Sequence, residues 1–101
     1  VVGGPVTLRW TAPRPAWLPD DLTTLLSALD WGPHRREIDL RREWLVGTNI
    51  AFRREALAAA GGFSPRLGRS GHGAALLSNE EIEVMMRIRA AGGTIHYEPG
   101  I

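Results

Sequence analysis

The stretch NEEIEVMMRIRAAGGTIHYE, residues 79–98, changes periodicity partway along. Up to Ala91 its apolar residues recur with a helical period. Gly92 and Gly93 then stop the helix, and Ile95 and Tyr97 alternate as in a strand. A helix delivered into a strand needs a sheet to receive it, so the remaining segments are expected to complete an α/β layout.

They can do so within one small domain, since 101 residues leave no room for two. VVGGPVTLRW at the start reads as a strand interrupted by Gly3, Gly4 and Pro5, a combination that marks a bulge or a close approach of backbone. The proline-rich TAPRPAWLP is an extended connector. In DDLTTLLSALDWG, Asp20 can cap a helix and Leu22, Leu25, Leu26 and Leu29 recur at i, i+3, i+4 and i+7. An amphipathic helix ending near Gly32–Pro33 is expected there. HRREIDLRRE is a surface loop or a short edge strand, and WLVGTNIAF is a buried strand or a strand beside a turn. RREALAAAGG is a short helix with a glycine stop, and FSPRLGRSGHGAAL is a loop. The outcome is a mixed sheet with flanking helices whose outer edges would be raw, so self-association through them is expected. VVGGPV carries no initiator Met and no signal-peptide pattern, and it reads as a strand entered in mid-sequence, the start of a piece of a longer protein.

Composition closes several routes. A net charge of +1 gives no reason to expect nucleic acid, and 44% hydrophobic residues argue against a disordered tail. Without cysteine there is neither a disulfide framework nor a thiolate metal site. No apolar run approaches the ~20 residues that span a bilayer. His34, His72 and His96 lack ligand spacing, so no metal site is expected from this chain's histidines.

The chemistry concentrates at the start of the 79–91 helix, where Glu80, Glu81 and Glu83 fall together. Ser78 and Glu81 form a capping-box pattern, and the helix dipole favours all three carboxylates, so helix-start electrostatics alone accounts for them. Steps of ~100° separate them. Glu80 and Glu83 fall opposite the apolar arc of Val84, Met85, Met86 and Ile88, with Glu83 placed to pair with Arg87. Glu81 falls inside that arc, and Arg89 does so as well, where it could snorkel.

WLVGTNIAFRREALAAAGGFSPRLG, a glycine-rich loop, and then NEEIEVMMRIRAAGGTIHYEPG together resemble the acceptor-side half of family 2 glycosyltransferases. That family shows a G-x-N-x-A-F-R-R segment with a G-G-F-D turn, then a G-E-D/E helix and an R-x-x-G-x-x-I-x-Y-x-P strand. The resemblance covers most of residues 1–101 and is weakest across 11–43. It implies a partial glycosyltransferase A-type fold, the nucleotide-binding half lying outside this chain. It also implies inverting transfer from a nucleotide-diphospho-sugar to the hydroxyl of a sugar or lipid-linked acceptor. The second acid of the family's pair is the general base, and here that position is Glu81. Glu80, Asn49, Arg66 and Arg69 are the candidate substrate-binding residues, Asn49 toward the sugar or acceptor, Arg66 toward a phosphate and Arg69 toward a pyrophosphate. A divalent cation, Mg or Mn, is expected for the whole enzyme, with its ligands mostly outside this chain. A cytoplasmic location at the inner face of the membrane follows from the same resemblance. Asn79 replaces the family's Gly, and Ser64 replaces its Asp.

Each residue also has a plainer reading. Asn49 could bond its own backbone in a turn, Arg66 could be an exposed salt-bridging residue, and the loop with Arg69 could bind nothing. Trp10, Trp17, Trp31 and Trp44 could stack on sugars, although packing is the first expectation for each. Arg35–Arg36 and Arg41–Arg42 could meet anionic headgroups, but Glu37, Asp39 and Glu43 interleave with them. An α/β interaction module without catalysis, or a family member that has lost it, stands as the alternative.

Overall fold

The computed structural model describes residues 1–67 and 79–101. The loop with Arg69 and His72, and Ser78 with its capping-box role, lie outside the described residues. Four short strands form one mixed sheet: β1 (Val2–Gly3), β2 (Arg36–Glu37), β3 (Ile50–Ala51) and β4 (His96–Tyr97), in the order β2-β4-β1-β3. β1 runs parallel to β4, with Val2 opposite His96 and Gly3 opposite Tyr97. β3 pairs antiparallel with β1, and β2 with β4. The charged segment before Leu40 thus supplies an edge strand, where Arg36 and Glu37 suit a solvated rim.

Two helices flank the strands in sequence, α1 (Arg54–Ala59) and α2 (Glu80–Ala90). α2 ends as its glycines require. Gly92 has φ +87°, and the Gly93 N–H donates to the Ile88 carbonyl at 2.9 Å, closing the last turn. Asn79 precedes α2 with φ +75°, a left-handed conformation that asparagine tolerates better than most residues. Val84, Met85 and Ile88 turn into a core shared with Leu29, Ile38, Leu45, Ile95 and Tyr97. The alternation of Ile95 and Tyr97 is met, since both are buried while His96 between them is only partly so. The apolar arc of α2 is narrower than its sequence implies, because Met86 remains 51% exposed.

The leucine-rich segment departs from expectation. Residues Asp20–Leu26 form a 3-10 turn, preceded by Pro19 with no side-chain cap from Asp20, and none of its residues is buried. Leu25 is 78% exposed and Leu22 and Leu26 are also open to solvent. Leu29 alone of the four reaches the core, and it does so beyond the turn, bridged to Val6 with N–H···O distances of 2.8 and 3.0 Å. A helical stripe gains stability chiefly from what it packs on, and here nothing among the described residues covers it.

The tryptophans divide. Trp31 and Trp44 meet edge to face at 5.2 Å, and the Trp31 indole N–H donates to the Trp44 carbonyl at 2.7 Å, which fits the packing expectation. Trp10 and Trp17 are exposed, Trp17 by 77%. Among the described residues no helix is long and apolar enough to cross a membrane.

The basic pairs are largely neutralised within the fold. Arg36 binds Glu43 through both terminal nitrogens, Arg41 binds Asp39 at 3.0 Å, Arg35 lies 3.5 Å from Glu98, and Arg89 pairs with Glu37. Arg89 therefore sits in an exposed ion pair rather than snorkelling along apolar surface. Hydrogen bonds from Arg41 hold Asp39 down at a pKa of about 2. The Arg36 guanidinium depresses Glu43 likewise, and Arg87 depresses Glu83. Asp30 is lowered by the Gly32 N–H and then by the Tyr97 hydroxyl.

All four carboxyls release their protons more readily folded than unfolded. Their stabilisation is therefore complete above the unfolded carboxyl range of ~4 and is lost as pH falls through the folded values. Tyr97 carries the opposite sign. Burial, and then Asp30, raise it above 10.0, so its contribution is complete below that value and is lost as pH rises through the folded one. Urea unfolding at a series of pH values should show the midpoint falling both below about pH 4 and above about pH 10. A midpoint flat to pH 2 would contradict these assignments.

Candidate functional site

The carboxyl ends of β1 and β4 point the same way, because the two strands are parallel. In α/β sheets that end is where ligands gather. Three segments converge there: Gly4–Pro5 after β1, the turn Val46–Asn49 before β3, and Glu98–Ile101 after β4. Gly4 is the hinge of this convergence. A Cβ at that position would lie 2.6 Å from the Ile101 oxygen and 2.7 Å from the Glu98 carbonyl, so only glycine lets the three meet.

Glu81 reaches this place from the first turn of α2. Its Oε1 accepts the Gly47 N–H at 3.3 Å, and its side chain is half-buried on the same face as Val84, Met85 and Ile88. Glu81 lies at the angular position that the helical periodicity gives it, although Glu80 and Glu83 are half-buried as well. Hydrophobic packing fixes the azimuth of α2, and the 44–49 segment, anchored by fully buried Leu45, supplies the donor.

Glu83 and Glu80 belong to other surroundings. Glu83 accepts from Arg87 at 2.7 and 2.6 Å, the expected i,i+4 pair. Arg87 continues past it to the carbonyls of Ala60 and Gly62, the latter at 2.7 Å, so the pair ties α2 to the turn that ends α1. Glu83 was expected to be a solvent-facing charge. It is instead half-buried, because Arg87 draws it toward that turn. Glu80, also expected on the solvent face, is half-buried at the helix start, without a hydrogen bond or ion pair among the described residues.

Asn49 is close to Glu81 through Gly47, but its amide is already engaged. Nδ2 donates to the Pro5 carbonyl at 3.0 Å and to the Ile101 oxygen at 3.1 Å. Its own N–H closes the turn onto Val46 at 3.1 Å. Arg66 is exposed, with its backbone N–H on Ser64 Oγ at 3.3 Å, and its side chain makes no bond among the described residues. Arg69 lies outside the described residues. The structure therefore brings Glu81 and Asn49 into one place and leaves Arg66 without a contact to either.

Gly47 interrupts the apolar run WLVGTNIAF. Its N–H is the donor to Glu81 Oε1, and no side-chain pattern could have announced a backbone donor. A separate concavity of about 510 Å³, lined by Ala51, Phe52, Arg53, Ile88, Thr94 and His96, does not include Glu81. Among the described residues no group of three or more His, Asp or Glu is placed to hold a metal ion. The donor set for a divalent cation is thus not met by these residues.

A half-buried carboxylate with one oxygen held by a backbone N–H can accept a proton at its other oxygen, or can simply brace the loop to the helix. Comparison with protein-family models, with curated proteins and with solved structures found no match to this chain.

Proposed function

We propose that the chain is the acceptor-side part of an inverting, family 2-like glycosyltransferase with a glycosyltransferase A-type fold, and that Glu81 is its general base. The observation that carries this reading is the position of Glu81. It lies on the packed face of α2, at the carboxyl ends of the parallel strands, with Oε1 held by Gly47. The sequence blocks that resemble the family lead to the same residue. The donor half, which would bind the nucleotide-diphospho-sugar, is taken to lie outside these residues, as are the ligands of any divalent cation.

In the step so proposed, the acceptor hydroxyl gives its proton to the carboxylate oxygen of Glu81 that Gly47 does not hold. The hydroxyl oxygen forms a bond to the anomeric carbon from the face opposite the leaving group. The bond from that carbon to the nucleotide diphosphate breaks, and its electron pair leaves with the diphosphate. A general base is worth ~10²–10⁴ in rate when it stands within ~2.6–3.2 Å of the proton it removes.

Glu81→Gln in the full-length transferase should therefore lower kcat by ~10²–10⁴, with the fold intact by circular dichroism. Transfer at the wild-type rate would sink the base assignment. The bracing role of the Glu81–Gly47 bond supports the second reading, a non-catalytic α/β interaction module. On that reading no donor is consumed by the wild-type protein either. Membrane association, if present, would not draw on Arg36 or Arg41, whose charges Glu43 and Asp39 already balance. A cytoplasmic site at the inner membrane face and pairing of copies through the outer strands belong to the same proposal.

A further inference from the structure

We infer that Asn49 is a positioning residue for Glu81 and not a hydrogen-bond donor to the sugar. The inference deepens the assignment of Glu81 as base and rests on it for the word catalysis, although the hydrogen-bond chain stands without it.

Both amide hydrogens of Asn49 are spent on main-chain oxygens from opposite ends of the chain, Pro5 at 3.0 Å and Ile101 at 3.1 Å. Its carbonyl accepts the Gly4 N–H at 3.3 Å, and its own N–H reaches Val46 at 3.1 Å. With the Val46–Asn49 turn held at the ends of β1 and β4 in this way, Gly47 presents its N–H to Glu81 Oε1 at 3.3 Å. A side-chain amide that meets two carbonyls has no donor left for a ligand, since its two hydrogens are its whole supply. The same two bonds are what a fixed turn needs, because a mobile Gly47 would let the Glu81 carboxylate change rotamer. The conformational freedom so removed is that of the group which must stand within hydrogen-bond reach of the acceptor.

Two readouts test this. In the 101-residue chain at neutral pH, Glu81→Gln should shift the Gly47 amide cross-peak seen by NMR, because the acceptor of that N–H changes. In the Asn49→Ala background the shift produced by Glu81→Gln should fall by half or more, and Gly47 amide exchange should quicken by ~10-fold as the turn opens. In the full-length transferase, Asn49→Ala should lower kcat by ~10-fold or more with KM within about twofold, the signature of a lost transition-state arrangement.

A raised KM with kcat preserved would make Asn49 a substrate contact and overturn the inference. An unchanged Gly47 response in Asn49→Ala would overturn it equally, whatever the rate. Should Asn49→Ala fail to fold, Asn49→Ser, whose single hydroxyl can serve at most one of the two carbonyls, is expected to give the same changes at smaller size. If the wild-type protein transfers no sugar, the transferase reading fails while the NMR arm still decides whether Asn49 holds Gly47 against Glu81.

Discussion

Tyr97→Ala should cost ~3–5 kcal/mol of folding stability, as expected for an aromatic truncated inside a packed core. Tyr97 is wholly buried, and it lies in β4 opposite both Gly3 and Arg36, so it touches the sheet and the core together. Val84, Met85 and Ile88 of α2 share its cluster, and a cavity there would loosen the helix that carries Glu81. Its hydroxyl donates to Asp30 at 3.0 Å, which joins the 20–31 region to the sheet. Tyr97→Phe keeps the packing and removes only that bond, so ~1 kcal/mol is expected. Urea unfolding of the two variants separates burial from hydrogen bonding. Equal losses would mean that the hydroxyl, and not the ring, holds this core.

The second large effect is at Gly4. Alanine there places a Cβ 2.6 Å from the Ile101 oxygen and 2.7 Å from the Glu98 carbonyl. Both obstacles are backbone atoms, so relief requires the strand ends to part, and the expected loss is ~2–3 kcal/mol. For a domain of this size the melting temperature should fall by roughly 10 °C or more. Gly47→Ala is the matching control. Its Cβ would meet Glu81 Oε1 at an ordinary 3.5 Å and the N–H would be kept, so little change is expected. A Gly4→Ala protein that melts with the wild type would show that the three segments do not converge as described.

Some of this was legible along the chain because it is local. The limits of α2 follow from periodicity and from Gly92, whose φ of +87° is a conformation that glycine adopts at little cost. The singular place of Glu81 among three carboxylates follows from angular steps along one helix, with no knowledge of neighbours. The Glu83–Arg87 pair is likewise a matter of spacing, and it forms as spacing requires.

The segment Asp20–Leu26 shows where such reasoning ends. A stripe of leucines states that four residues can share a face, but not that anything will cover it. Here the segment is a 3-10 turn with Leu22, Leu25 and Leu26 in solvent. Asn49 illustrates the same limit from the polar side. Its type and its place in a turn suggest a hydrogen bond, yet its partners, Pro5 and Ile101, are 44 and 52 residues away.

Local pattern therefore settled the α/β class and the approximate length of α2, because backbone geometry and side-chain period act over a few residues. Tertiary structure decided the strand order and the exposure of the leucines. It also decided the engagement of Asn49 and the pairing of Glu81 with Gly47. Each of these depends on which distant backbone groups meet, and meeting is a property of the packed chain.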